Sequence, residues 1–156
     1  MSDVDDRIVI NEMFNRYSEA LDRKQWELLD GFFADDAVGE FSSQDGQMDF
    51  QIAGGADIVD LARRMIGSPE IVTQHLMANF SAAIDGDTAT ASSKMRAYHH
   101  GVGPREGLFE ESIGHYAGRF RRTATGWECT WWEERIYIML GDPMLFAAEI
   151  DAAPPS

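Results

Sequence analysis

Only one of the 156 residues is a cysteine, Cys129, so an internal disulfide and a cysteine metal site are both excluded. It lies in the alternating run Trp127-Glu128-Cys129-Thr130-Trp131, where a free thiol packs as a small hydrophobe. Basic residues are scarce: 13 Lys and Arg stand against 27 Asp and Glu, a formal net charge of −14. Nucleic acid and anionic membranes demand a basic face, so neither is expected as a partner, and the acidity reads as solvation. No apolar run reaches the length of a membrane span and no N-terminal stretch has the form of a signal peptide, which makes the cytoplasm the expected location. The four histidines include no short-spaced pair on one face. Gly54-Gly55 lacks the strand-linked fingerprint of a nucleotide loop, and no serine carries an elbow motif. Metal, nucleotide and serine-nucleophile chemistry are therefore not expected.

Apolar residues make up 44% of the chain and aromatics 11%, enough for one domain with a sizeable core. The expected division is one domain over residues 1–150 and a loose tail over 151–156. Ile10, Phe14, Tyr17 and Leu21 recur at helical spacing within residues 4–22, with Ser2 or Asp3 as the cap. A second, short helix is expected from Lys24 to Phe33, then a strand over Ala37 to Phe41 and a polar loop over Ser42 to Met48. Ile58, Leu61, Ala62 and Met65 share one face of a third helix, Ala56 to Ile66, stopped by Gly67-Ser68-Pro69.

After Pro69 the period changes from helical to extended. Residues 70–84, 88–100, 108–122 and 126–140 predict four strands, separated by Asp85-Gly86-Asp87, by the loop from Gly101 to Gly107 and by Thr123-Ala124-Thr125-Gly126. Helices first and a long meander afterwards is an α+β order. The architecture expected is a cone: three N-terminal helices packed in a strongly curved antiparallel β-sheet, with a small-molecule pocket at the mouth.

Such a cone can bring Asp22 and His75 together. Imidazole titrates near neutral pH, and a carboxylate on one ring nitrogen fixes the tautomer and stabilises the imidazolium, so the pair transfers protons without a cofactor. Asp22 stands at a helix C-terminus, where an acid is mildly disfavoured and gains from a cationic partner. Taken alone it reads as a solvated helix-end acid. Tyr17 lies five residues earlier, about 140° round a regular helix, so only a wide pocket would see both; otherwise it is a core aromatic.

The other candidates carry weaker signals. Asn79 lies two strand steps beyond His75 and is a candidate hydrogen-bond donor to a substrate oxygen. His99 and His100 alternate, so at most one faces the cavity, and His100 is taken as the candidate. His115 has the same ambiguity. Alternation groups Trp131, Glu133 and Arg135 on one side of the last strand, and an inward Arg135 would stabilise an enolate or a leaving anion. Its bland counterpart is a cross-strand ion pair.

The run from Tyr17 through Leu21-Asp22, Trp26 and Leu28-Leu29 to Phe33-Ala34-Asp35-Asp36-Ala37 resembles the N-terminal signature of the SnoaL-like branch of the nuclear-transport-factor-2-like superfamily, a cystatin-like α+β cone. Thr73-Gln74-His75, Asp85-Gly86-Asp87-Thr88-Ala89, and Gly118-Arg119-Phe120 to Gly126-Trp127 resemble its later landmarks. The resemblance covers about residues 5 to 135 and speaks to the fold more than to a substrate. In dehydratases of this kind and in hexachlorocyclohexane dehydrochlorinase the matching acid pairs with the strand His, which implies Asp22 with His75. In bile-acid dehydratase relatives a Tyr at the position of Tyr17 lines the site, and scytalone dehydratase uses a second strand His in the region of His99 and His100. The dehydrochlorinase has a lysine where Tyr17 stands, which disfavours dehydrohalogenation here.

These features predict a cofactor-independent lyase, a dehydratase or isomerase, acting on a small apolar cyclic molecule such as a steroid, polyketide or aromatic precursor. Asp22, His75 and Tyr17 would be catalytic, with Asn79, His100, Arg135 and Trp131 binding substrate. No metal or cofactor is expected, and a homodimer or homotrimer is. The alternative is a non-catalytic binding or assembly module, including a structural role like that of a dioxygenase small subunit.

Overall fold

The computed structural model describes residues 2–147; the tail expected over 151–156 lies outside them. Helix α1 spans Asp3–Arg23. It starts at Ser2, whose hydroxyl accepts the Asp5 amide while the Asp5 carboxylate accepts the Ser2 amide, satisfying two of the donors that a helix start leaves free. The stripe Ile10, Phe14, Tyr17 and Leu21 is buried.

The short second helix expected over 24–33 is a single 3₁₀ turn, Trp26–Leu29, and strand β1 begins already at Phe33. Lys24 (φ 58°) closes α1 in the left-handed region and Gly31 (φ 67°) reverses the chain again, so too few residues lie between them for an α-helix. β1 runs Phe33–Ser43 and pairs with β2, Asp49–Ala53. That second strand lies between the expected polar loop and the expected third helix, where no strand was expected. Helix α2, Gly55–Ile66, follows, so among the described residues there are two α-helices rather than three and the second comes after two strands. Its start lies so close to β1 that a Cβ at Gly55 would meet the Ala34 carbonyl oxygen at 2.5 Å.

Strands β3 (Ile71–Asp85), β4 (Thr88–Gly101), β5 (Phe109–Thr123) and β6 (Gly126–Gly141) form the meander. The six-stranded order is β2-β1-β6-β5-β4-β3. The sheet is mixed rather than purely antiparallel, because β1 pairs with β6 in parallel. Register shifts in the β1/β6, β3/β4 and β5/β6 pairs mark the bulges that bend it. Among the described residues no helix is long and apolar enough to cross a membrane.

Alternation along β6 settles which side faces the helices. Trp132 and Ile136 are buried while Arg135 is exposed. Trp132 is the hub of the core: its ring centroid lies 4.6 Å from that of Tyr17, 5.1 Å from Tyr116, 5.2 Å from Phe14 and 5.7 Å from Phe32. Its indole N–H is buried without a partner among the described residues, so its contribution is packing area and ring geometry rather than a hydrogen bond. Trp132→Ala should therefore cost about 3–5 kcal/mol in urea unfolding, whereas Trp132→Phe, which also deletes the unpartnered donor, should cost clearly less.

Candidate active site

β3 is an edge strand, so part of its backbone has no neighbouring strand to pair with. The last turn of α1 fills that gap. Asp22 Oδ2 accepts the His75 backbone N–H at 2.9 Å, and Asp22 Oδ1 lies 2.7 Å from His75 Nδ1. The Thr73 hydroxyl donates to Asp22 Oδ1 at 3.0 Å, and Lys24 Nζ donates to that same hydroxyl and to the Leu21 carbonyl, each at 3.1 Å. One carboxylate thus holds both the backbone and the ring of the same histidine. With Nδ1 engaged, the ring's Nε2 is the nitrogen left to act on a ligand.

The charges follow from this packing. Burial works against the Asp22 carboxylate, but the hydrogen bonds from the His75 ring, the His75 amide and Thr73 outweigh it and hold its pKa below the usual 3.8. Burial lowers the His75 pKa below its usual 6.5, and the Asp22 carboxylate opposes that only in part. His75 is therefore a neutral imidazole at neutral pH. Since the folded state binds this proton less readily than the unfolded chain, the neutral ring's contribution to stability is complete above 6.5 and is lost as pH falls below it.

His75 opens onto a cavity of about 280 Å³ between the helices and the sheet. Apolar walls come from Leu61, Met65, Met48, Phe50 and Ile136, and Tyr17 and Tyr116 form the floor beside Trp132. Burial raises the pKa of both phenols, so they remain hydrogen-bond donors rather than bases. Burial likewise raises the Cys129 thiol, which packs as a hydrophobe. Phe146 and Pro143 close one side of the cavity. Their short 3₁₀ turn is pinned by the buried Arg105, which donates to the Leu145 and Ala147 carbonyls at 2.7 and 2.8 Å and to Glu70 at 2.9 Å.

A second imidazole lines the same cavity, and it is His99 rather than His100. In β4 the odd-numbered residues face inward and His100 is exposed. The His99 and His75 rings meet edge to face at 5.4 Å. His99 Nδ1 lies 2.6 Å from Glu110 Oε2, and the Ser112 hydroxyl donates to Glu110 Oε1 at 2.5 Å. Glu134 is the remaining ionisable group of the lining.

The other expected binding residues lie elsewhere. Asn79 is exposed and has φ 55° in the bulge between Ala78 and Ser81, which interrupts the alternation that would have carried it inward. Arg135 is exposed on the outer face, and Trp131 stacks there under the Arg119 guanidinium, 4.7 Å from centroid to Cζ. Their inward neighbours on β6 are Trp132, Glu134 and Ile136. His115 binds Glu133 and the Tyr137 hydroxyl, away from the cavity. Thr73, His99 and Ser112 were within reach of the sequence through strand parity; Lys24 and Glu134 carried no signal that set them apart from surface charges. Among the described residues no three His, Cys, Asp or Glu side chains converge as a metal site.

Residues 2–133 match the SnoaL-like domain. The chain belongs to the SnoaL-like family. A relative from Mycobacterium tuberculosis, itself an uncharacterized protein, is 28% identical over 134 residues, 81% of this chain and 82% of its own length. A candidate scytalone dehydratase from Novosphingobium aromaticivorans superposes with a TM-score of 0.73 at 20% identity, covering 97% of this chain and 96% of that one. A hexachlorocyclohexane dehydrochlorinase of type 2 gives 0.70 at 19%, with 99% of each chain covered. At these identities the two structures speak for the SnoaL-like fold alone.

The geometry makes a spectroscopic prediction. Because the Asp22 charge is what raises the His75 pKa against burial, Asp22→Asn should move the His75 titration further down, and an NMR pH titration of the imidazole C–H resonances measures the shift directly.

Proposed function

We propose that this protein is a cofactor-independent lyase of the dehydratase type, acting on a small, mostly apolar cyclic compound. The observation that carries the proposal is the Asp22–His75 pair opening onto an apolar cavity, with one ring nitrogen held at 2.7 Å and the other left for a ligand. The family membership and the two enzyme-like neighbours support the same reaction class.

In the proposed reaction His75 Nε2 removes a proton from carbon while Asp22 stabilises the imidazolium. The electrons of the broken C–H bond form the new double bond and the adjacent C–O bond breaks. The departing hydroxyl takes the proton back from the imidazolium and leaves as water, so the imidazole is restored and no oxidant, reductant or metal is consumed. The Tyr17 phenol donates a hydrogen bond to the substrate oxygen that gains charge. His99, fixed by Glu110, replaces His100 as the second imidazole at the reacting centre. If a carbonyl flanks the carbon that loses its proton, return of that proton to a different carbon gives a double-bond shift instead.

The expected consequence is a loss of about 10²–10⁴-fold in kcat/KM for His75→Ala, a comparable direction for Asp22→Asn, and a smaller loss for Tyr17→Phe, measured by the absorbance of the new conjugated bond on hydroxylated bicyclic and steroid substrates. Activity should fall toward acid with its limb below the usual 6.5, because His75 must be neutral to accept the proton. Full turnover in His75→Ala would remove His75 as the base, and a wild type that binds such compounds without turning any over would leave a binding module.

An oligomer through the outer face of the sheet belongs to the same proposal. Val72, Leu76, Tyr98, Phe109, Ile138 and Leu140 are exposed there, and the register places Leu76 across from Arg96, Ile113 and Ile138 in one row. A homodimer or homotrimer is expected by light scattering after gel filtration, with Leu76→Glu shifting it toward monomer.

A further inference from the structure

The charged groups that line the cavity are acids and imidazoles, and no Lys or Arg is among them. Two carboxyl groups enter from adjacent strands, Glu110 from β5 and Glu134 from β6. Their partners differ. Both Glu110 oxygens are occupied, by His99 Nδ1 at 2.6 Å and by the Ser112 hydroxyl at 2.5 Å. Glu134 lines the same space, and what acts on it is burial followed by repulsion from Glu110, with no hydrogen bond from a described residue. Those two effects push its carboxyl up to about 7. The ionisable groups of the cavity that surround it are Tyr17 from α1, His75 from β3, His99 from β4, and Glu110 and Tyr116 from β5. None is a cation fixed across the pH range that would hold a carboxylate there.

A neutral carboxyl is a hydrogen-bond donor as well as an acceptor, and in an apolar cavity an unpartnered donor is costly until a ligand satisfies it. We propose that Glu134 is the specificity residue of the cavity: in its neutral form it donates a hydrogen bond to the carbonyl or hydroxyl oxygen of an uncharged substrate, and the cavity rejects organic anions. This deepens the proposed function, since it rests on the cavity being the substrate site. It also narrows the substrate class. Carboxylated and phosphorylated compounds would meet two carboxyl groups and no counter-charge, whereas a neutral keto or hydroxy polycycle would find one donor set in apolar walls.

The test uses three probes of similar size: the neutral, acceptor-only ketone 2-acetylnaphthalene, the anion 2-naphthoate, and 2-naphthylmethylammonium, titrated calorimetrically into the folded protein near pH 6 and near pH 8.5. The wild type should bind the ketone roughly tenfold more tightly than the naphthoate near pH 6, and ketone affinity should fall as pH rises through about 7, because an ionised carboxylate has no proton to donate. In Glu134→Gln, which keeps a neutral donor, ketone affinity should be flat across that range. In Glu134→Leu it should be low at both pH values, with the fold checked by circular dichroism. Equal affinity for ketone and naphthoate, a pH dependence that survives in Glu134→Gln, an ammonium probe that binds best and gains with pH, or no binding of any probe would each overturn the proposal. Binding needs no turnover, so the first two of these leave proton abstraction by His75 standing, and unchanged turnover in His75→Ala would leave the role of Glu134 standing.

Discussion

The contact between the Asp22 carboxylate and the edge of β3 is the constraint on which the rest of the site depends. An edge strand exposes backbone donors that no neighbour satisfies, and a helix C-terminus is a poor place for an acid. Bringing the two together removes both difficulties: the His75 amide gains an acceptor at 2.9 Å, and the carboxylate gains donors from Thr73 and from the His75 backbone and ring. The left-handed residue Lys24 that ends α1 makes this possible, because it stops the helix one residue after Arg23 and returns its own side chain to the Thr73 hydroxyl. Fold closure and imidazole orientation are therefore one interaction. A substitution that disturbs either disturbs the other.

From that corner the cavity is built outward with a consistent division of labour. The aromatic cluster around Trp132 supplies an apolar floor, and helix α2 with the β1–β2 hairpin supplies the walls. Polar atoms are few and grouped: the His75 and His99 rings meet edge to face, each with an acid on Nδ1. Low polarity in the surroundings strengthens every one of these contacts and makes ionisation of an unpaired acid costly. It explains why Asp22, held behind His75 by hydrogen bonds that outweigh its burial, stays ionised, while Glu134 in the lining, with no such partner, is pushed toward its neutral form.

Much of the fold was legible because long, regular periodicity is dictated by burial on one face. The helical stripe from Ile10 to Leu21 and the four long strands appear within a residue or two of their expected bounds. The pairing of β1 with β6 was not legible, since parity in a strand says which face is inward but not which neighbour it finds. The segment from Lys24 to Phe33 failed for a local reason: apolar spacing suggested a helix where two left-handed residues allow one turn. In the site, the expected pairing with Asp22 rather than alternation singled out His75, and parity left His99 against His100 open. It misplaced Asn79, where a bulge broke the period. On β6 alternation grouped Trp131, Glu133 and Arg135 on one side, but parity does not say which side is inner, and the inner face went to Trp132, Glu134 and Ile136.

The parallel pairing of β1 with β6 joins residues 33–43 to residues 126–141, and it has a bearing on how the protein is made. Contacts so distant along the chain carry a large loop-closure cost before they contribute, and they set a slow step in folding. On the ribosome, α1 and the β1–β2 hairpin are synthesised well before the strand that lies beside them exists. The hub residue Trp132 and the cavity acid Glu134 arrive on that late strand, so the apolar half-cone waits open until nearly the whole described chain has emerged. Among the described residues folding is in this sense completed from β6, and the cavity between the helices and the sheet is the last feature to close.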